Sequence, residues 1–157
     1  MGSVRVAESA VINARPEEVY SILADYRNEH PRILPQQYFK ELTIERGGQG
    51  AGTVFRARIR AFGSELKYHM EVTEPEPGHR LVETDKDAGV VTTFTVSPVD
   101  GGRRATLEIA TEFTLSSGLR GAVEKVMNPL VVGRMYRTEL QQVADYVASK
   151  QREKATE

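Results

Sequence analysis

The sequence predicts an α+β fold in which a strongly curved antiparallel sheet of about seven strands lies against one long terminal helix. Three observations carry that expectation. Short β-branched or alternating runs recur between turn signals from about residue 38 to 115, a strand and a helix stand ahead of them, and a long amphipathic run closes the chain. Of these segments only the last is long enough to cover one face of the sheet.

"VRVAESAVINA" (4–14) is rich in β-branched residues and reads as the first strand. "RPEEVYSILADY" (15–26) follows as a helix. Pro16 suits its first position, Glu17 and Glu18 favour the positive end of its dipole, and Val19, Ile22, Leu23 and Tyr26 share one apolar face. "RNEHPRILP" (27–35) allows one short helical turn. Six more strands are expected at about 38–46, 53–62, 65–74, 79–85, 89–98 and 103–115, punctuated by "GGQGAG", "GS", "EPEPGH", "KDAG" and "VDGG". The run from 119 to 150 is helical, with one apolar stripe of Val123, Val126 and Leu130 and a longer one of Tyr136, Leu140, Val143 and Val147. Asn128-Pro129 interrupts it, so a fresh helix is expected from there, while Ser116-Ser117 suits a cap for the segment before.

"FRARIRAFGSELKYHM" (55–70) sets three arginines at alternate positions, which raises the question of a nucleic-acid surface. Alternation of Arg56, Arg58 and Arg60 with Phe55, Ala57, Ile59 and Ala61 is the pattern of a half-buried strand. A hairpin folded about Gly63-Ser64 sets Ile59 opposite Tyr68, Ala57 opposite Met70 and Arg56 opposite Glu71, with Arg60 near Glu65. The arginines then have acidic neighbours on a solvated face. A nucleic-acid patch needs unpaired, aromatic-flanked cations on a basic domain, and this chain carries a formal net charge of -1. No nucleic-acid partner is expected.

The 157 residues suit a single domain over 1–157. No cysteine is present, which removes disulfides, thiolate metal sites and cysteine nucleophiles. His30, His69 and His79 stand at no metal-ligand spacing, so no metal and no cofactor is expected. "GGQGAGT" (47–53) lacks the Lys-Ser/Thr pair and the following helix of a phosphate loop, and reads as a structural turn. "MGSVRV" has no charged region followed by an apolar run, no stretch is apolar enough to span a bilayer, and Val6 departs from the myristoylation pattern. A cytoplasmic protein without stable membrane insertion is the expectation.

What remains is the inward face. A curved sheet gripping one helix tends to leave a space between them, a natural small-molecule pocket. Phe55, Ile59, Leu66, Tyr68, Met70, Phe94, Leu107, Ile109 and Phe113 should point towards the helix, with Met127, Leu130, Met135 and Tyr136 facing them. Leu107 and Ile109 read as solid core. Phe55, Ile59, Tyr68, Met70, Phe94, Phe113, Met127, Met135 and Tyr136 are the expected ligand-binding set. A buried phenol needs a hydrogen-bond partner and methionine adapts to irregular guests. Arg134 is expected at the rim. Tyr68, Tyr136 and His30, the last beside the cavity mouth, are the candidates for catalysis.

"VINARPEEVYSILADY", "GGQGAGTVF", "YHMEVTEPEPGHRLVE" and "MYRTELQQVADYVASK", in that order and spacing, resemble the START-like (SRPBCC) superfamily in its polyketide cyclase/dehydrase branch. The resemblance implies a helix-grip fold with a deep, mostly apolar cavity for lipids, polyketides, isoprenoids or similar molecules. It implies no single activity, and it brings no catalytic motif onto numbered positions here. The chain also has no tryptophan, which many relatives carry after the first helix.

Three functions follow as expectations. The first is a binding protein for a hydrophobic small molecule. The second is a cyclase, aromatase or dehydratase acting in the same cavity, with tyrosines moving protons. The third is a regulator whose outer sheet face meets another protein.

Overall fold

β1 (Ser3–Ile12) leads into two helices, α1 (Pro16–Ala24) and the single turn α2 (His30–Ile33). Then come β2 (Phe39–Arg46), β3 (Val54–Ala61), β4 (Ser64–Glu76), β5 (Arg80–Asp85), β6 (Val90–Val99), a 3-10 turn over Asp100–Gly102, β7 (Arg104–Thr114) and α3 (Pro129–Ala155). This computed structural model describes residues 3–61, 63–114 and 129–156. The predicted α1, the short turn after it and the strands all form, with boundaries displaced by one or two residues.

The strands make one antiparallel sheet in the order β1-β7-β6-β5-β4-β3-β2. Register shifts interrupt β2 between Phe39 and Glu41 and between Ile44 and Arg46, and β4 between Thr73 and Glu76. Extra residues at such points bend a strand and increase its twist, which lets the sheet curl. α3 lies in the concave face as the helix of a helix-grip fold. Val132, Met135, Tyr136, Leu140, Val143 and Val147 on its inner side are buried, as the 3.6-residue spacing of the stripe requires. Lys150 Nζ donates to Glu29 Oε1 at 2.7 Å and Gln142 Nε2 to the Leu34 carbonyl at 3.3 Å, tying α3 to the segment around α2.

Two expectations are corrected. The β3–β4 pairing register is shifted by two residues from the one that folding about Gly63-Ser64 predicts. Ala61 pairs with Ser64, and with Gly63 at φ 73°, left-handed backbone that glycine adopts without strain, Ile59 faces Leu66, Ala57 faces Tyr68 and Phe55 faces Met70. Arg56 therefore meets His69 rather than Glu71. A shift of two preserves which side chains point inward. Leu130, expected to face the sheet, is 80% exposed, because it stands in the opening turn of α3 on the side turned away from the core. Met127, Asn128, Ser116-Ser117 and the stripe at Val123 and Val126 lie outside the described residues.

Two of the three arginines, Arg56 and Arg58, are paired along the solvated face. Arg56 Nε lies 2.5 Å from Glu45 Oε1, and Arg58 reaches Glu41 at 3.4 Å and Glu65 at 3.2 Å. His69 Nε2 shares the same Glu45 at 2.9 Å. Most of these partners come from β2, an edge strand the hairpin alone could not reveal.

Candidate functional site

Alternation along β5 buries Leu81, Glu83 and Asp85 on the concave side, and alternation along β6 buries Val90, Thr92, Phe94 and Val96. Across from them α3 presents Val132, Met135, Tyr136 and Glu139. Between these surfaces lies a cavity whose lining includes Leu34, Phe39, Leu42, Phe55, Ala57, Ile59, Tyr68, Met70 and Phe94, with His30, Glu83, Thr92, Tyr136 and Glu139 supplying polar atoms. Its volume is about 50 Å³.

Of the expected ligand-binding set, Phe55, Ile59, Tyr68, Met70, Phe94, Met135 and Tyr136 line this cavity. Phe113 is buried between Val4 and Val90 in the sheet but does not line it. Leu107 and Ile109 are fully buried core, as expected. Arg134 is exposed on α3.

His30 is placed differently from its expectation. It lies inside the core at 2% exposure rather than at a mouth. The glycine stretch clasps the end of α1 just before the connection that leads to His30. Gly48 N–H donates to Thr53 Oγ1 at 3.0 Å, and the Gly48 carbonyl accepts from Tyr26 N–H at 2.9 Å. Gly50 N–H donates to the Ala24 carbonyl at 2.9 Å. "GGQGAGT" is thus a structural clasp on the end of α1, and it fixes Tyr26. His30 N–H then closes on the Asp25 carbonyl at 2.7 Å. Its ring stacks on Tyr26 with centroids 4.4 Å apart and meets Phe94 edge-on at 5.6 Å. His30 Nδ1 lies 2.8 Å from the Leu23 carbonyl, which only accepts, so Nδ1 carries the proton and Nε2 is left as an acceptor. Burial pulls the His30 pKa down from 6.5 to about 4, against the opposing pull of that hydrogen bond. The ring is neutral at neutral pH.

Sequence reasoning missed the two acids. Glu83, 7% exposed, accepts from the Tyr26 hydroxyl at 2.6 Å and lies 3.7 Å from His30 Nε2. That second gap is beyond hydrogen-bond length. Burial raises the Glu83 carboxyl from 4.5 to about 7, and the Tyr26 hydrogen bond restrains the rise. With His30 neutral, the contact between them is no ion pair. Glu139, 1% exposed, is pushed well above the ordinary carboxylate range by burial and then by the charge of Glu83. A signal for both existed. Glu83 shares the parity of Leu81, and Glu139 stands three residues after Tyr136 and four before Val143 on the apolar stripe.

The tyrosines differ in their surroundings. The Tyr136 hydroxyl is hydrogen-bonded to Thr111 Oγ1, which is itself 2.7 Å from Thr92 Oγ1, forming a short buried chain. Burial raises the pKa of Tyr136 and of Tyr68, so both phenols stay protonated at neutral pH. A protonated phenol can donate a hydrogen bond or act as general acid, and it is a poor base.

No described helix is long and apolar enough to cross a membrane. Among curated proteins, no sequence matches the chain. The solution structure of KanY protein superposes with a TM-score of 0.80 at 27% identity, covering 94% of this chain and 99% of its own. A START superfamily protein from Mycobacterium smegmatis follows at a TM-score of 0.72 and 16% identity, over 94% of this chain and 99% of its own. The Zhui aromatase/cyclase from Streptomyces sp. R1128 gives 0.68 at 17% identity, over 92% and 93%. The latter two likenesses speak to the fold alone. The family described as polyketide cyclase/dehydrase and lipid transport matches residues 3–148. With its helix-grip sheet and internal cavity, the chain belongs to that family.

Proposed function

We propose that the protein binds a hydrophobic small molecule, of lipid, polyketide or isoprenoid type, in the cavity between the sheet and α3. The observation that carries this reading is a space in the centre of the core that is lined mainly by aliphatic and aromatic side chains. A core of this composition normally closes to crystal-like density, so a retained void has a use. Met70 and Met135 stand on opposite walls, and their unbranched side chains re-pack around guests larger than the resting space. The acidic partners of Arg56 and Arg58 give no support to a nucleic-acid partner.

A neutral apolar dye such as Nile red tests the reading. It should bind at one equivalent, and Ala57→Leu, which fills the cavity from β3, should weaken it without loss of the circular dichroism spectrum. Wild-type protein that binds no dye at any concentration below its solubility would contradict the proposal.

One observation favours a second reading, catalysis in the same cavity. Glu83 titrates at about 7 beside the accepting Nε2 of His30, and an acid or base with a pKa near ambient pH is efficient in proton transfer. On that reading Glu83 joins Tyr68, Tyr136 and His30 as a candidate, for a cyclisation or dehydration. Turnover of a polyketide analogue that is lost in Glu83→Gln would establish it.

A further inference from the structure

The described side chains around the cavity include two carboxylic acids and neither a lysine nor an arginine. Glu139 Oε2 is buried without a hydrogen-bond partner, on a helix face that lines the cavity. Such an orphaned acceptor carries the full desolvation cost of its burial. Nearby, among the described residues Glu83 has only the Tyr26 hydroxyl as a close donor, and the Nε2 of His30 is a further acceptor because Nδ1 is committed to Leu23. The Tyr136 hydroxyl is engaged with Thr111. Once both carboxyls are ionised, this end of the cavity has more acceptors than the described side chains have donors to meet them.

We infer that the cavity holds a subsite for the ammonium group of a hydrophobic amine, with Glu139 and Glu83 as its partners and the apolar body lying along Leu42, Phe55, Phe94 and Met135. The inference rests on the reading that the cavity binds a hydrophobic small molecule. An alkylammonium offers three donors, matching Glu139, Glu83 and His30 Nε2 in number. A carboxylate or phosphate head would set a third acid beside two others with no described cation near, at low dielectric. An alcohol satisfies one acceptor and leaves the others bare.

Binding of the cation is coupled to protons. The groups facing the two carboxyls are Tyr26 from the α1–α2 connection, His30 from α2, Tyr136 from α3 and the acids themselves. The tyrosines stay protonated and His30 stays neutral, so proton release on binding comes from Glu83 and Glu139, whose protonated forms burial favours. A cation between them reverses that preference.

The test compares hexylamine, hexan-1-ol and hexanoate by isothermal titration calorimetry near neutral pH, in two buffers of different ionisation enthalpy. Hexylamine should bind roughly tenfold or more tightly than hexanol, since charge-assisted hydrogen bonds are about twice as strong as neutral ones. It should release about one proton, read from the buffer dependence of the heat. Glu139→Gln, isosteric and uncharged, should remove most of the amine's advantage and leave hexanol within a few-fold. If that variant does not fold by circular dichroism, Glu83→Gln serves in its place. Hexanoate binding as tightly as hexylamine, or amine binding without proton release and indifferent to either substitution, overturns the subsite while the cavity reading stands. Silence from all three compounds counts against the cavity reading itself, and the subsite falls with it.

Discussion

Substituting Glu83 by glutamine should make the protein more stable at alkaline than at acid pH relative to wild type, and the size of the effect follows from the burial of the carboxyl. Its pKa is about 7 in the folded chain against an ordinary 4.5. Below about pH 4.5 the group is protonated whether folded or not, and no penalty exists. As pH rises through 4.5 the unfolded chain gives up its proton while the folded one keeps it, so stability falls until about pH 7 and is level beyond. At 1.36 kcal/mol for each pKa unit, the loss is about 3 kcal/mol. Glutamine does not titrate and escapes it. His30 works in the opposite sense. Its folded pKa is about 4 against 6.5, so the unfolded chain binds the extra proton and stability is lost as pH falls from 6.5 towards 4. Between about pH 4.5 and 6.5 the two slopes offset each other in wild type, and Glu83→Gln exposes the His30 slope alone. Burial, rather than the charge of Glu83, is the leading cause of the His30 shift, so it survives the substitution. Glu139, relieved of a neighbouring charge, adds to the advantage of the variant at high pH. Urea titrations followed by circular dichroism between about pH 4 and about pH 8 measure it, with equal m-values as the check on two-state behaviour. The gap between the two proteins should widen by about 3 kcal/mol towards pH 8. Curves that run parallel across that range would refute the burial argument.

Further expectations concern the walls and the outer face. Tyr136→Phe removes the hydroxyl bonded to Thr111 but leaves the Thr111–Thr92 pair intact, so chemical denaturation should show a loss of about 1 kcal/mol. If the cavity is catalytic through this phenol, turnover in the same variant should drop by roughly 10²–10⁴-fold with binding kept. Replacing Arg56, Arg58 and Arg60 together by glutamine should leave stability nearly unchanged in chemical denaturation, because exposed ion pairs contribute little. Dye affinity should stay unchanged, and wild type should show no salt-sensitive binding to DNA or RNA in a fluorescence anisotropy titration.

Period-two and 3.6-residue patterns made the scaffold legible, and they failed at identifiable places. The alternation at 55–61 and 65–72 located β3, β4 and their inward residues, but a two-residue turn placed on the Gly63-Ser64 signal set the hairpin register two residues off. Of the eight expected cavity residues that are described, seven line the cavity, five through readable strand parity and two from α3. Phe113 shares that parity yet lies between Val4 and Val90 outside the cavity lining, a distinction no one-dimensional pattern carries. The sequence places His30 beside the cavity mouth, whereas stacking on Tyr26 and the hydrogen bond to the Leu23 carbonyl hold it in the core. Glu83 and Glu139 escaped because charged residues are assigned to solvent by habit. Their places on the strand parity and the helical stripe said otherwise.

Methionine methyl NMR tests the central claim most directly. Of four methionines, Met70 and Met135 line the cavity from opposite sides. Titration of protein labelled at the methionine methyls with hexan-1-ol or a longer neutral apolar ligand should move the resonances of Met70 and Met135, assigned by substitution to leucine, saturating at one equivalent. Both resonances staying fixed while the ligand binds, or no saturable binding at all, would contradict a cavity between the sheet and α3 as the binding site.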